Sequence, residues 1–237
     1  MPVVMLLPNL VTIAAICAGM TAIRFGFQGQ YQAAVVLILV ACVLDGLDGK
    51  LARLLKSESP IGAELDSLAD CVNFGVAPAL VVYAWALQGT KSAAWIAVLV
   101  FGISCVMRLA RFNIDNKSEM AGRKGNRFVG VPAPAGAFLV LFPMFLSFLF
   151  DDPDLIPVGI IGFYMICIGL LMISRIPTYS FKRARVSRKS VKFLMLGFAF
   201  LAAALLTQPW ATLAVLDLAY AASVCWAWLS RDKSTHT

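Results

Sequence analysis

Long uninterrupted apolar runs divide this chain, and short polar or charged stretches separate them. Eight runs approach the roughly 20 apolar residues that a helix needs to cross a bilayer: 3–24, 31–55, 61–87, 91–112, 132–150, 155–174, 192–207 and 210–229. Their apolar positions are continuous rather than alternating, and a spanning sheet has to close into a barrel, so strands are not expected. The pattern predicts an all-α polytopic membrane protein of about eight transmembrane helices. No linker rich in Pro, Gly or Ser divides it, so residues 1–237 are expected to form a single integral membrane domain.

Composition agrees. Of the 237 residues 60% are hydrophobic and only 14% charged, more apolar surface than a soluble domain of this length can hide. The N-terminus has no basic region followed by a small-residue cleavage site, so the first run reads as a retained span. The six cysteines are scattered through apolar runs without metal-type spacing, and the single histidine, His236, lies in the terminal tail. Chemistry that needs a buried histidine is therefore not expected.

Charge sets an orientation. With the N-terminus in the cytoplasm, 53–60, 113–131, 175–191 and 230–237 become internal, and of the 20 Lys and Arg residues only Arg24 and Lys91 fall outside. That asymmetry follows the positive-inside rule and places both termini in the cytoplasm. The net charge of +7 is thus a topological feature first. The cluster Arg175 to Lys192 could also hold anionic lipid headgroups. No soluble module remains to read a nucleic acid, so no nucleic-acid partner is expected.

One charged stretch breaks the pattern. The run "AAVVLILVACVL" continues into "DGLDGKLAR" (45–53), and after the link "LLKSESP" the next span opens "IGAELDSLADCVNFG". Asp45 and Asp48 are three apart and Asp66 and Asp70 four apart, so each pair shares a helix face. Measured from a turn centred near residue 57, Asp48 and Asp66 each lie nine residues away, Asp45 twelve and Asp70 thirteen. Antiparallel packing would set the four carboxylates in two facing layers, where they repel one another unless a cation lies among them. An ionisable group at mid-membrane costs about 2.5–3.5 kcal/mol even on the lenient scale. For a single acid, helix capping or pairing with Lys50, Arg53 or Lys56 would suffice; four at matched depth call for metal. Oxygen ligands without Cys or His favour Mg²⁺ or Mn²⁺ over zinc.

Gly46, Gly49, Ala52 and Gly62 either leave room for a ligand beside the acids or let helices pack closely. Arg53 suits a phosphate clamp, or snorkels to the headgroups.

Asp45 to Asp70 fits D-x2-D-G-x2-A-R-x8-G-x3-D-x3-D at every fixed position, and on these residues the chain resembles the CDP-alcohol phosphotransferases. "LPNLVT" (7–12) is similar to the start of that family's first helix. The resemblance implies a catalytic six-helix core over 1–174, two additional helices over 192–229, and transfer of a phosphate-bearing group from a CDP-linked donor to an alcohol with release of CMP. It implies that Asp45, Asp48, Asp66 and Asp70 hold two divalent ions, Mg²⁺ or Mn²⁺. It further implies that Asp70 is the catalytic base, that Asn9, Thr12, Gly49, Ala52, Arg53, Ser59 and Gly62 line the CDP-lipid site, and that the protein is a homodimer.

"DSLADCVNFGVAPA" (66–79), "RLARFN" (108–113) and "FVGVPAPAG" (128–136) resemble the bacterial branch that makes phosphatidylserine. This implies CDP-diacylglycerol and L-serine as substrates, in the bacterial cytoplasmic (inner) membrane with the active site facing the cytoplasm. Arg108 and Arg111, three apart, offer cations for a serine carboxylate or lipid phosphate, or anchor the inner end of the fourth span. Asn73, three residues after Asp70 on the same face, reaches a substrate or packs between helices. Other acceptors (glycerol 3-phosphate, inositol phosphate, choline) share the chemistry. A cation-coupled transporter would instead show broken helices and inverted repeats at the midplane, and neither is visible. Asp217, alone in the last span, suits an interhelical hydrogen bond.

Overall fold

The computed structural model describes residues 3–89, 93–120, 130–174 and 188–231. Among them there is no strand, and eight helices follow one another. These are α1 (Leu7–Phe27), α2 (Tyr31–Leu54), α3 (Pro60–Leu87), α4 (Ala93–Met120), α5 (Ala133–Phe150), α6 (Val158–Ile173), α7 (Arg188–Thr207) and α8 (Pro209–Arg231). Five stretches, in α1, α3, α4, α5 and α8, are long and apolar enough to cross a bilayer, and α6 and 195–207 of α7 are shorter apolar helices. The 24 residues of α2 extend about 36 Å at 1.5 Å per residue, enough to span. The chain is an integral membrane protein.

Two compact units are present. The first comprises Met1–Gly125, Val131–Leu141 and Pro157–Ser174. Its centre is the α1–α2 pair. The buried positions of α1 are Pro8, Thr12, Ala15, Gly19, Ala22 and Gly26, a stripe of small residues spaced by three and four. Lipid gives helices no hydrophobic reason to associate, so close backbone approach along such a stripe supplies the contact energy. A methyl group on Gly19 would collide with the Asn73 amide, and one on Gly26 would lie 3.2 Å from Val81.

Helix α3 is unevenly wound. Wide i→i+5 turns occupy Cys71–Val76 and Tyr83–Leu87, the first directly ahead of Pro78, whose ring removes a backbone donor. Helix α4 packs on α6, where Gly169 admits Ser104 and the Phe101 backbone. α4 also runs on past the expected span end at 112 to Met120, because "NIDNKSEM" contains no Gly or Pro to stop it.

The second unit comprises Asn126–Gly130, Phe142–Ile156 and Arg175–Thr237. Within it α7 packs on α8, and Phe148 meets Trp210 edge-on at 4.8 Å between ring centres. Asp217 is buried, and one of its carboxylate oxygens has no hydrogen-bond partner among the described residues. Lys91, His236 and Arg175 to Ser187 of the basic cluster lie outside the described residues.

Candidate active site

The site is built where α2 turns into α3. Helix α2 ends in a Schellman motif: Ser57 N–H donates to Ala52 O (3.0 Å) and Lys56 N–H to Arg53 O (3.3 Å), with Lys56 at φ 50°. Two residues later Ser59 caps α3, its hydroxyl accepting from Gly62 N–H at 3.0 Å, and Pro60 takes the first helical position. Both ends of the link are closed by hydrogen bonds, which fixes the register of one helix against the other.

That register brings the acids together. Carboxylate oxygens of Asp45, Asp48 and Asp66 all lie within 4.8 Å of one another, and the Asp70 carboxyl is set against that of Asp45. One oxygen each of Asp45, Asp48 and Asp70 is buried with no hydrogen-bond partner among the described residues. Thr12, on α1, directs its hydroxyl at Asp48 Oδ2 (2.5 Å) and at Pro8 O (3.1 Å). Convergent carboxylate oxygens lacking donors are what a hard divalent cation requires, so this donor set fits Mg²⁺ or Mn²⁺.

A cleft of about 840 Å³ opens over the acids. All four aspartates line it, and so do Asn9, Thr12, Gly49, Ala52, Arg53, Ser59 and Gly62. Beyond their chain neighbours and the nearby backbone of α2, no atom of the described residues lies within 4 Å of where a side chain on Gly46 or Gly49 would begin, so these glycines leave open space beside the acids.

Three sequence candidates lie elsewhere. Asn73 is completely buried against Gly19 and does not line the cleft. It packs between helices, against α1. Arg108 donates from Nε to Val131 O (3.1 Å) and lies over the Phe112 ring at 5.4 Å. Arg111 donates from Nη1 to Ile173 O at 3.0 Å, tying α4 to the end of α6.

Other polar groups were not singled out by sequence reasoning. Ser57 and Glu58 also line the cleft, and their place in the link "LLKSESP" was the available signal. Ser67 and Asn113 hydrogen-bond across α3 and α4, with Asn113 Nδ2 donating to Ser67 Oγ at 3.0 Å. Nothing in the spacing of the two residues marks that pair.

Comparison with known proteins identifies the class. The sequence matches the family model for CDP-alcohol phosphatidyltransferase over residues 5–174, and that for CDP-alcohol phosphatidyltransferase 2 over 190–224. The chain belongs to the CDP-alcohol phosphatidyltransferase family. Among its relatives, the CDP-diacylglycerol–serine O-phosphatidyltransferase of Mycobacterium leprae (strain TN) is 41% identical over 217 residues, which cover 91% of this chain and 72% of the relative. The protein of that name from Bacillus subtilis (strain 168) is 35% identical over 178 residues, covering 75% of this chain and 92% of the relative. That of Helicobacter pylori (strain J99 / ATCC 700824) is 35% identical over 188 residues, covering 78% and 76%.

Proposed function

We propose that this protein transfers the phosphatidyl group of CDP-diacylglycerol to the hydroxyl of L-serine, giving phosphatidylserine and CMP. The support comes from the family membership, from relatives that carry this activity in their names, and from the gathering of four acids and seven nucleotide-site candidates around one cleft.

Asp45, Asp48, Asp66 and Asp70 would hold two divalent ions, Mg²⁺ or Mn²⁺. Such ions, when bound, neutralise the pyrophosphate and the charge that builds on the departing CMP oxygen. The protein's own groups divide the remaining work. Thr12 holds Asp48 in one orientation. Arg53, at the cleft mouth, offers a guanidinium to a donor phosphate. Gly46 and Gly49 let the diphosphate approach the α2 backbone. Asp70 takes the proton from the serine hydroxyl as the new P–O bond forms and the bond to CMP breaks. Arg108, which does not line the cleft, would have to leave Val131 O to meet a serine carboxylate or lipid phosphate. The lipid tails stay in the bilayer while serine arrives from water.

The same reading places the cleft and both termini on the cytoplasmic side of a bacterial inner membrane, and takes the protein as a homodimer. The deciding experiment is CMP release by purified protein from CDP-diacylglycerol, with and without serine and divalent metal. Release that needs both supports the reading. Release independent of serine, or driven equally by glycerol 3-phosphate, refutes the choice of acceptor.

A further inference from the structure

We infer that Glu58 reads the base of the donor nucleotide, accepting a hydrogen bond from the exocyclic amine of cytosine and so excluding uridine analogues. This rests on the reading of the cleft as the CDP-lipid site. Asp45, Asp48 and Asp66 gather their carboxylates in the cleft wall, and the diphosphate belongs beside them. The link carrying Ser57, Glu58 and Ser59 forms another part of its wall, beyond the last turn of α2. Asp48 is six residues from Leu54, so the link lies about 9 Å further along the helix axis, where the nucleoside extends from its phosphates.

A carboxylate in that position is otherwise hard to explain. It adds negative charge to the wall of a cleft that must admit a diphosphate. Neither a hydrogen bond nor an ion pair engages Glu58 among the described residues, although Arg53 lines the same cleft. The cleft thus offers an unpaired cation and an unpaired anion together, which suits a ligand with both phosphate oxygens and an amine donor. Cytosine differs from uracil in presenting N4–H₂ as a donor where uracil presents an acceptor, and Glu is a natural partner for that amine.

The neighbours cannot make this distinction. Serine hydroxyls and the Asn9 amide each donate as well as accept, so they tolerate either base. Ser59 is further committed to the Gly62 N–H. Glu58 is the acceptor-only side chain on the link. Its backbone is held between the Schellman residue Ser57 and the cap residue Ser59, so its position does not depend on a mobile loop.

The test is inhibition of the purified full-length protein by CMP and by UMP, for wild type, Glu58→Gln and Glu58→Ala. Wild type should bind CMP at least about tenfold more tightly than UMP, the discrimination of one good base contact. In Glu58→Gln, whose amide can turn either its donor or its acceptor to the base, the ratio should fall toward one. Glu58→Ala should weaken CMP about tenfold and leave UMP no weaker. Variants that keep the wild-type ratio overturn the assignment while the cleft reading stands. A wild type that releases no CMP from CDP-diacylglycerol overturns both.

Discussion

The Thr12 hydroxyl of α1 points at Asp48 Oδ2 of α2 across 2.5 Å, both residues being almost wholly buried. Thr12 thus supports an acid of the cleft that it also lines. Thr12→Val should weaken the apparent affinity for activating Mn²⁺ by about 10–100-fold, the usual loss when a ligand's supporting group is removed. Thr12→Ser, which keeps the hydroxyl, should retain most of it. Activity titrated against Mn²⁺ checks both.

Asp70 and Asp45 should separate by phenotype although their carboxyls touch. Asp70→Asn is expected to lower turnover by about 10²–10⁴-fold, as loss of a general base does, with CDP-diacylglycerol binding largely kept. Asp45→Asn should also raise the metal concentration needed. Chelation should abolish activity, and Mg²⁺ or Mn²⁺ should restore it. Near-normal turnover in Asp70→Asn would remove the base assignment.

Two glycines in neighbouring helices predict opposite outcomes. Gly49 faces open space in the cleft, so Gly49→Ala should raise KM for the CDP-lipid while stability holds or gains up to about 1 kcal/mol from helix propensity. Gly19→Ala drives a methyl group into Asn73 and should cost about 1–3 kcal/mol of stability, as overpacking does. Thermal unfolding in detergent beside steady-state kinetics distinguishes them.

Lys56 holds left-handed backbone at φ 50°, a conformation that glycine adopts without penalty. Lys56→Gly should stabilise the protein by about 1 kcal/mol. Lys56→Val, with a branch at Cβ, should do the reverse, again by thermal unfolding.

Much of the architecture was legible in the sequence because lipid imposes a simple rule: about twenty apolar residues make a span. The end of α4 was not, since the stretch "NIDNKSEM" is largely polar yet carries no helix breaker. The acid cluster was legible because two helix periods and one turn place Asp45, Asp48, Asp66 and Asp70. The bond from Thr12 to Asp48 joins residues 36 apart on separate helices, and no local pattern encodes it. Asn73 left two readings open in the sequence, substrate contact or helix packing, and its burial against Gly19 of α1 is the packing one. Glu58 looked like one more charge in a polar link until the cleft wall was seen to include it.

The link between α2 and α3 has a consequence for how this protein can change. Hydrogen bonds seal it at both ends, so its length behaves as a ruler. A residue added to the first turn of α3 would rotate Asp66 by about 100° and raise it about 1.5 Å, taking it out of reach of Asp45 and Asp48. Glu58 on the link can be exchanged, and with it the choice of base; the count of residues cannot drift without dismantling the cluster. Composition here is open to variation, while spacing is not.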